Sequence, residues 1–375
     1  MSRVEELLVK YNPNGVFQLD LREICNIIRG KRVTKRDIKE FGDYPVISGG
    51  ESPMGYYDTF NRDANTITIA QYGAAGYVDF QTNRFWANDV CYSILPFESV
   101  NNKYLYYTLK SKQSHIYSIR NTDAVPFSLP IDTLYSIKIP LPHIKVQEEI
   151  VKILDSFTNL IDSLNEELSL RQKQFEYYRE KVLTFDDNTP SIVKTSLGEI
   201  GDVCMCKRIM SNETNNIKGI PFYKIGTFGG VADSYISEKQ FNEYKNKYKY
   251  PKIGDILLSA SGTIGKTVVF DGKPSYFQDS NIVWIDNDET MVINSFLRYI
   301  YTVIDWKVDD GGVIKRLYNT NIRSTLIAFP KDKTIQQSIV EKLDAFESLI
   351  SSLKEEIALR QKQYEYYREK LLTFE

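Results

Sequence analysis

The chain has 375 residues, 42% of them apolar and 26% charged, with a formal net charge of −2. Those values fit two or three folded domains and exclude a disordered chain or one that coats nucleic acid through bulk charge. No apolar run is long enough for a signal peptide or a membrane span, and four sparse cysteines suit small buried thiols in a reducing cytoplasm rather than disulfides or a zinc site.

The chain opens with MSRVEELLVKYNPNG and enters a region of short apolar runs broken by Gly, Asn and Pro. This region reads as a globule of β-strands with a few helices, one of them at 101–111. Its densest basic run is RGKRVTKRDIK, residues 29–39, in which Arg29, Lys31, Arg32, Lys35, Arg36 and Lys39 face one acid, Asp37. Charge of that density near a turn suits phosphate contacts, and a solvated loop is the alternative. Further on, QYGAAGYV carries a G-x-x-G turn after an apolar strand, which places Gln71 and Tyr72 beside it.

A long stretch without Gly or Pro follows, Gln147 to Phe185, and it recurs without a gap at Gln336 to Phe374, 189 positions later. Within it, RQKQFEYYREK and RQKQYEYYREK differ at one aromatic position. Apolar residues step by four and three through Ile150, Leu154, Phe157, Ile161, Leu164 and Leu168, and likewise in the second copy. That is a heptad seam and predicts coiled-coil packing, with the other copy as the nearest partner. At 1.5 Å per residue each copy is a helix of roughly 58 Å. Arg171 and Arg360 occupy one seam position in both copies, where an arginine either sets register or reaches outward. The polar flanks, Gln174 and Arg179 among them, are the same in both, as a shared partner or a recent duplication would leave them.

The region between the long helices repeats the first globule in outline. LGEIGDVCMCKR matches LREICNIIRGKR and brings Lys207 and Arg208 to the place of Lys31 and Arg32. YKNKYKYPK, residues 244–252, alternates tyrosine and lysine and contributes Lys249. SGTIGKT falls short of a phosphate-binding loop because the leading glycine is Ala260 and a strand follows it. A tight turn is the better reading, and it sets Ser259, Ser261 and Lys266 near the face that a ligand would meet. Glutamine, serine and lysine there could read base edges. Neither His115 nor His143 has the company of a hydrolytic triad, and no methyl-donor loop is visible, so no catalysis is expected of the chain. The order is globule, helix, globule, helix, with boundaries at 1–142, 143–186, 187–331 and 332–375. The fold class is α+β, with two similar α/β domains joined by two long helices in an internal pseudo-twofold repeat.

This order of parts resembles the specificity subunits of type I restriction–modification systems. The features that carry the resemblance are the helix approach LPHIKVQEEIVKIL, the RQKQ-aromatic-EYYREK helix ends and the G-E-I start of the second globule. The second approach, FPKDKTIQQSIVEKL, departs from it, with Phe329 for leucine, Gln337 for glutamate and one more residue before Gln336. The resemblance implies two target recognition domains, each reading half of a split double-stranded DNA target, on helices that pair antiparallel. It implies docking of two methyltransferase subunits, for which Arg171, Gln174, Tyr178, Arg179, Arg360, Gln363, Tyr367 and Arg368 are the candidates, and of restriction subunits. No cofactor is expected on this chain; S-adenosylmethionine would sit on the methyltransferase subunits, and ATP and Mg²⁺ on the restriction subunit. The rival readings are a coiled-coil adaptor whose globules bind protein, a nucleotide-dependent enzyme using residues 262–267, and a related system with fused or different catalytic subunits.

Overall fold

The computed structural model describes residues 3–123, 125–185, 189–308 and 315–374. The boundary expected between 186 and 187 lies outside the described residues. The chain divides into two compact units, one holding the residues up to Glu166 and from Glu355 onward, the other Glu167–Lys354. Each unit thus contains a globule and one half of each long helix.

In the first unit the core sheet is antiparallel, in the order Cys25–Arg29, Cys91–Pro96, Thr66–Ala70, Val78–Gln81. Thr66–Ala70 is buried at every residue, so it lies in the middle of its layer. The helix Asn102–Ser111 covers the sheet, started by Asn101, whose side chain accepts from the Tyr104 N–H at 3.1 Å. Ile67, Ile69, Tyr92, Ile94, Leu105 and Leu109 meet in this core at no measurable exposure. A smaller sheet follows the order Tyr56–Tyr57, Tyr44–Ile47, Trp86–Ala87, its last pair parallel. Phe17–Asp20 pairs with Lys138–Leu141 and so brings the two ends of the globule together at the start of the long helix.

The second unit repeats this topology. Its core sheet runs Val203–Met205, Ile282–Ile285, Ile256–Ser259, Thr267–Val269; its smaller sheet runs Tyr235–Ile236, Ile220–Tyr223, Tyr276–Phe277; and Ile192–Ser196 closes on Leu326–Pro330. Its additional feature is the helix Glu238–Lys247, capped by Ser237.

The long helices are Ile144–Leu183 and Lys333–Leu372, 40 residues each. In the first unit the start of one packs on the end of the other: Ile150 and Leu154 share a buried cluster with Leu372, and Phe157 stacks on Tyr367 at 5.3 Å. In the second unit Val340 and Leu343 share a cluster with Leu183, and Phe346 lies 5.5 Å from Tyr178. The two copies pack together, as the heptad seam predicts, and the pairing is antiparallel in both units, as the family resemblance implies. Arg171 and Arg360 do not cross the seam; each bonds along its own helix, to Gln174 and Glu167 and to Gln363 and Glu356.

One set of bonds fastens each globule to its helix. Gln147 is fully buried; its carbonyl accepts from the Asn101 N–H at 2.8 Å and its amide donates to the Pro142 and Ser99 carbonyls. Gln336 repeats this with Ile293, Pro330 and Met291, despite the longer approach. Tyr107 donates to Asp155 and Tyr299 to Asp344, both at 2.6 Å. Gln147→Ala removes a side chain that satisfies three backbone groups in a buried place. It is expected to lower stability by about 2–3 kcal/mol, read as a shift in the urea midpoint, whereas Gln174→Ala on the exposed helix face leaves the midpoint unchanged.

Candidate nucleic-acid interface

In each globule, four loops leave the strands at one end and are tied to one another. The basic run follows the strand Cys25–Arg29. Gly30 passes so close to Ala87 that an added Cβ would fall 2.1 Å from its carbonyl oxygen, and the Lys31 N–H donates to that carbonyl at 2.9 Å. Asn88 then holds the run from below. Its oxygen accepts from the Val33 N–H at 3.0 Å, and its amide reaches the Val33 carbonyl and the Ser48 hydroxyl. Asp37 closes the turn by accepting from the Thr34 N–H and hydroxyl, which holds its carboxyl below the usual range. Lys31, Arg32, Lys35 and Arg36 remain exposed on this fixed loop, and Arg29 at the end of the strand before it.

The G-x-x-G turn lies beside it. Gly73 and Gly76 have φ of 75° and 89°, and the turn joins two antiparallel strands. The Ala74 N–H donates to the Gly49 carbonyl at 2.8 Å, the Gln71 N–H donates to the Val90 carbonyl at 2.8 Å, and Tyr72 bridges Ser128. Tyr72 is 39% exposed, but Gln71 is 5% exposed and faces the interior.

The second globule gathers the same loops. The Ile225 N–H donates to the Gln278 side chain at 2.9 Å, and Arg208 pairs with Asp279 at 2.8 Å. Gly262 and Gly265 again have positive φ, 66° and 84°, in a turn between two strands, so no phosphate-binding loop is formed there. Ser259 is buried, donates to the Thr263 carbonyl and accepts from the Lys266 N–H; Ser261 is buried and donates to Asn281 at 2.9 Å. The ammonium of Lys266 donates to the Phe228 carbonyl.

The loop ends therefore bring together Arg29, Lys31, Arg32, Lys35, Arg36 and Tyr72 in one globule, and Lys207 and Arg208 in the other. Gln71, Ser259 and Ser261 sit at the same ends but turn inward, because each is at a strand terminus where its polar atoms complete the turn. Lys249 lies elsewhere. With Lys252 it pairs with Asp286, which follows the far end of the strand that Asn281 precedes. Sequence reading passed over Asn88 and Gln278, which sit alike after the strands Trp86–Ala87 and Tyr276–Phe277. An amide followed by aspartate in both globules was the available signal.

On the helices, Tyr178 and Tyr367 stand beside Phe346 and Phe157. Arg179 lies over Phe175 and Arg368 over Tyr364, and the Nε atoms of both arginines are buried with no hydrogen-bond partner among the described residues. In the second unit Arg179 lines a groove of about 470 Å³ with Phe175, Glu347 and Lys354.

The family model described as Type I restriction modification DNA specificity domain matches residues 14–170 and 192–359, one match on each globule and the helix after it. The chain belongs to the type I restriction–modification specificity subunit family. It is 44% identical, over 94% of each chain, to S.HindORF215P of Haemophilus influenzae, described as a type I restriction enzyme specificity subunit. It is 32% identical, over 63% of each, to the EcoR124I/EcoR124II specificity subunit of Escherichia coli. The crystal structure of a type I S subunit from M. genitalium has the same fold, with a TM-score of 0.66 at 18% identity over 96% of both chains. As a non-catalytic specificity subunit the chain confers DNA specificity and docks its partner subunits on the central helices. No helix of the described residues is long and apolar enough to cross a membrane.

Burial pushes the Cys25, Cys91 and Cys206 thiols up to about 12, which fits small core residues. Lys249 and Lys252 hold the Asp286 carboxyl below its usual range through their hydrogen bonds. A lowered folded pKa stabilises above the unfolded value of about 4 and is lost as pH falls through the folded one. Between pH 5 and 3, Asp286→Asn is therefore expected to lose less of its urea resistance than the parent chain. A second measurement tests the loop. Asn88→Ala is expected to raise amide hydrogen exchange at Val33 and its neighbours while Ile67–Ile69 stay protected.

Proposed function

We propose that the two globules, residues 1–142 and 187–331, are target recognition domains that each read one half of a split double-stranded DNA target in the cytoplasm. The long helices, 143–186 and 332–375, carry two equivalent seats for methyltransferase subunits, with restriction subunits joining for cleavage. The observation that carries this reading is the double repeat: each globule ends in the same tied loops, and each is fixed to its copy of one helix through the same buried glutamine. Two copies of one catalytic partner need two equivalent seats. Two different half-sites need two faces that share a frame and differ in display.

The exposed cations Arg29, Lys31, Arg32, Lys35 and Arg36, with Lys207 and Arg208, suit phosphate contacts. Tyr72 suits the groove beside them. Gln71, Ser259 and Ser261 support the loops from inside, and Lys266 steadies its turn. Lys249 belongs to an ion pair away from this face. The helix seats are Arg171, Gln174, Tyr178 and Arg179, and Arg360, Gln363, Tyr367 and Arg368. Arg179 and Arg368, each laid over an aromatic ring of its own helix, present the same cation at both seats. S-adenosylmethionine would be held by the methyltransferase, and ATP and Mg²⁺ by the restriction subunit.

Single-molecule methylation sequencing tests this in cells that express the chain with its neighbouring methyltransferase, against cells lacking the chain. Adenine methylation in a two-part motif with a fixed gap is expected, and it disappears without the chain. An unchanged pattern, with both proteins soluble and abundant, overturns the proposal.

A further inference from the structure

The two globules are an internal comparison: one backbone, two sets of side chains. The phosphates of two half-sites are chemically the same, whereas their bases differ. Side chains shared at equivalent backbone positions therefore suit the phosphate backbone, and a base-edge contact is to be sought among the side chains that differ. Strand registers make the positions equivalent. Arg29 pairs with Tyr92 as Met205 pairs with Val283, so Lys31 and Arg32 correspond to Lys207 and Arg208, and both pairs are basic. The bridge beside the Gly turn is different. Tyr72 bridges Ser128 in the first globule, and Ser261 bridges Arg316 in the second. The next residue is anchored alike, with the Leu129 N–H on the Gln71 carbonyl at 2.9 Å and the Leu317 N–H on the Ala260 carbonyl at 2.8 Å. An exposed arginine thus stands where the first globule has a serine.

Its surroundings are built. Arg316 lines an open polar cleft of about 470 Å³ together with Arg208, Ser280 and Asn281. Asp279 fixes Arg208, and Ser261 fixes Asn281. This loop is one residue longer than its counterpart: Trp86 and Cys91 are five apart, Tyr276 and Ile282 six. Ser280 takes a left-handed φ of 55° there, a conformation costly for a serine. A guanidinium fork at the mouth of such a cleft matches the O6 and N7 acceptors of guanine in the major groove. We infer that Arg316 reads a guanine in the half-site of the second globule, and that Ser128 leaves the first half-site without this contact. The inference rests on the function proposed above.

The test uses the complex purified with its methyltransferase subunits, on the target that methylation sequencing defines. Binding is measured at fixed salt to duplexes in which each guanine pair of the second half-site is replaced in turn. Arg316→Ala is expected to abolish roughly 10- to 100-fold discrimination at one guanine, with preferences elsewhere and in the first half-site unchanged. Arg316→Lys keeps a donor for the same two acceptors without the planar fork and is expected to retain part of that preference. Uniform weakening on every duplex, unaltered preferences in Arg316→Ala, or a second half-site with no guanine each overturns the inference. Failure of the parent chain to direct any split motif is a separate result and removes the proposed function itself.

Discussion

The buried glutamine at the head of each long helix is the constraint on which the rest depends. A helix with a heptad stripe and a globule with its own core would otherwise meet through one chain connection. Gln147 and Gln336 instead satisfy the start of a globular helix, the carbonyl of the proline before the long helix and a loop carbonyl. An unmade buried bond is expensive, so the joint has one geometry and not a range. The tyrosine-to-aspartate bonds, two turns further along each helix, add a second fixed point, and two points define a direction.

Fixing the joint makes the loops useful. The tied end of each globule is held by main-chain bonds and by amide side chains, Asn88 and Gln278, that span from one loop to the next. These bonds use little exposed side-chain chemistry. They leave the outward residues free to differ, and the globules do differ there while keeping one topology. The frame is set by buried polar groups that must all be satisfied, and the display by exposed groups with no such demand. A subunit that must present two chemistries on one scaffold requires that separation.

The sequence disclosed the two parts unequally. The long helices were legible because heptad spacing over five repeats, free of Gly and Pro, permits little else, and the 189-residue offset revealed the duplication. The Gly turns were legible because two glycines at G-x-x-G after a β run mark positive φ. The globule cores were legible only as strands, since pairing order is a long-range property. The inward turn of Gln71, Ser259 and Ser261 was hidden because composition reports polarity and not direction. The ion pair of Lys249 was hidden because its partner, Asp286, lies 37 residues on. Asn88 and Gln278 went unnoticed for a related reason: they are different residue types doing one job, and their partners are distant main-chain atoms.

The longer approach to the second helix bears on how such repeats tolerate change. Gln336 reaches the Pro330 carbonyl six residues back, and Gln147 reaches Pro142 five back, yet both bonds are 2.7 Å. An added residue in the approach is absorbed before the glutamine, so the bond and the helix phase after it survive. The heptad register, the tyrosine clamp and the paired arginines all count from that glutamine, at the same offsets in both copies. An insertion on the globule side of the glutamine changes a loop; one on the helix side would rotate every later residue by about 100° and carry the seam out of contact. This asymmetry follows from the geometry of one buried side chain, and it accounts for helices that align without a gap beside globules that match only in their fold.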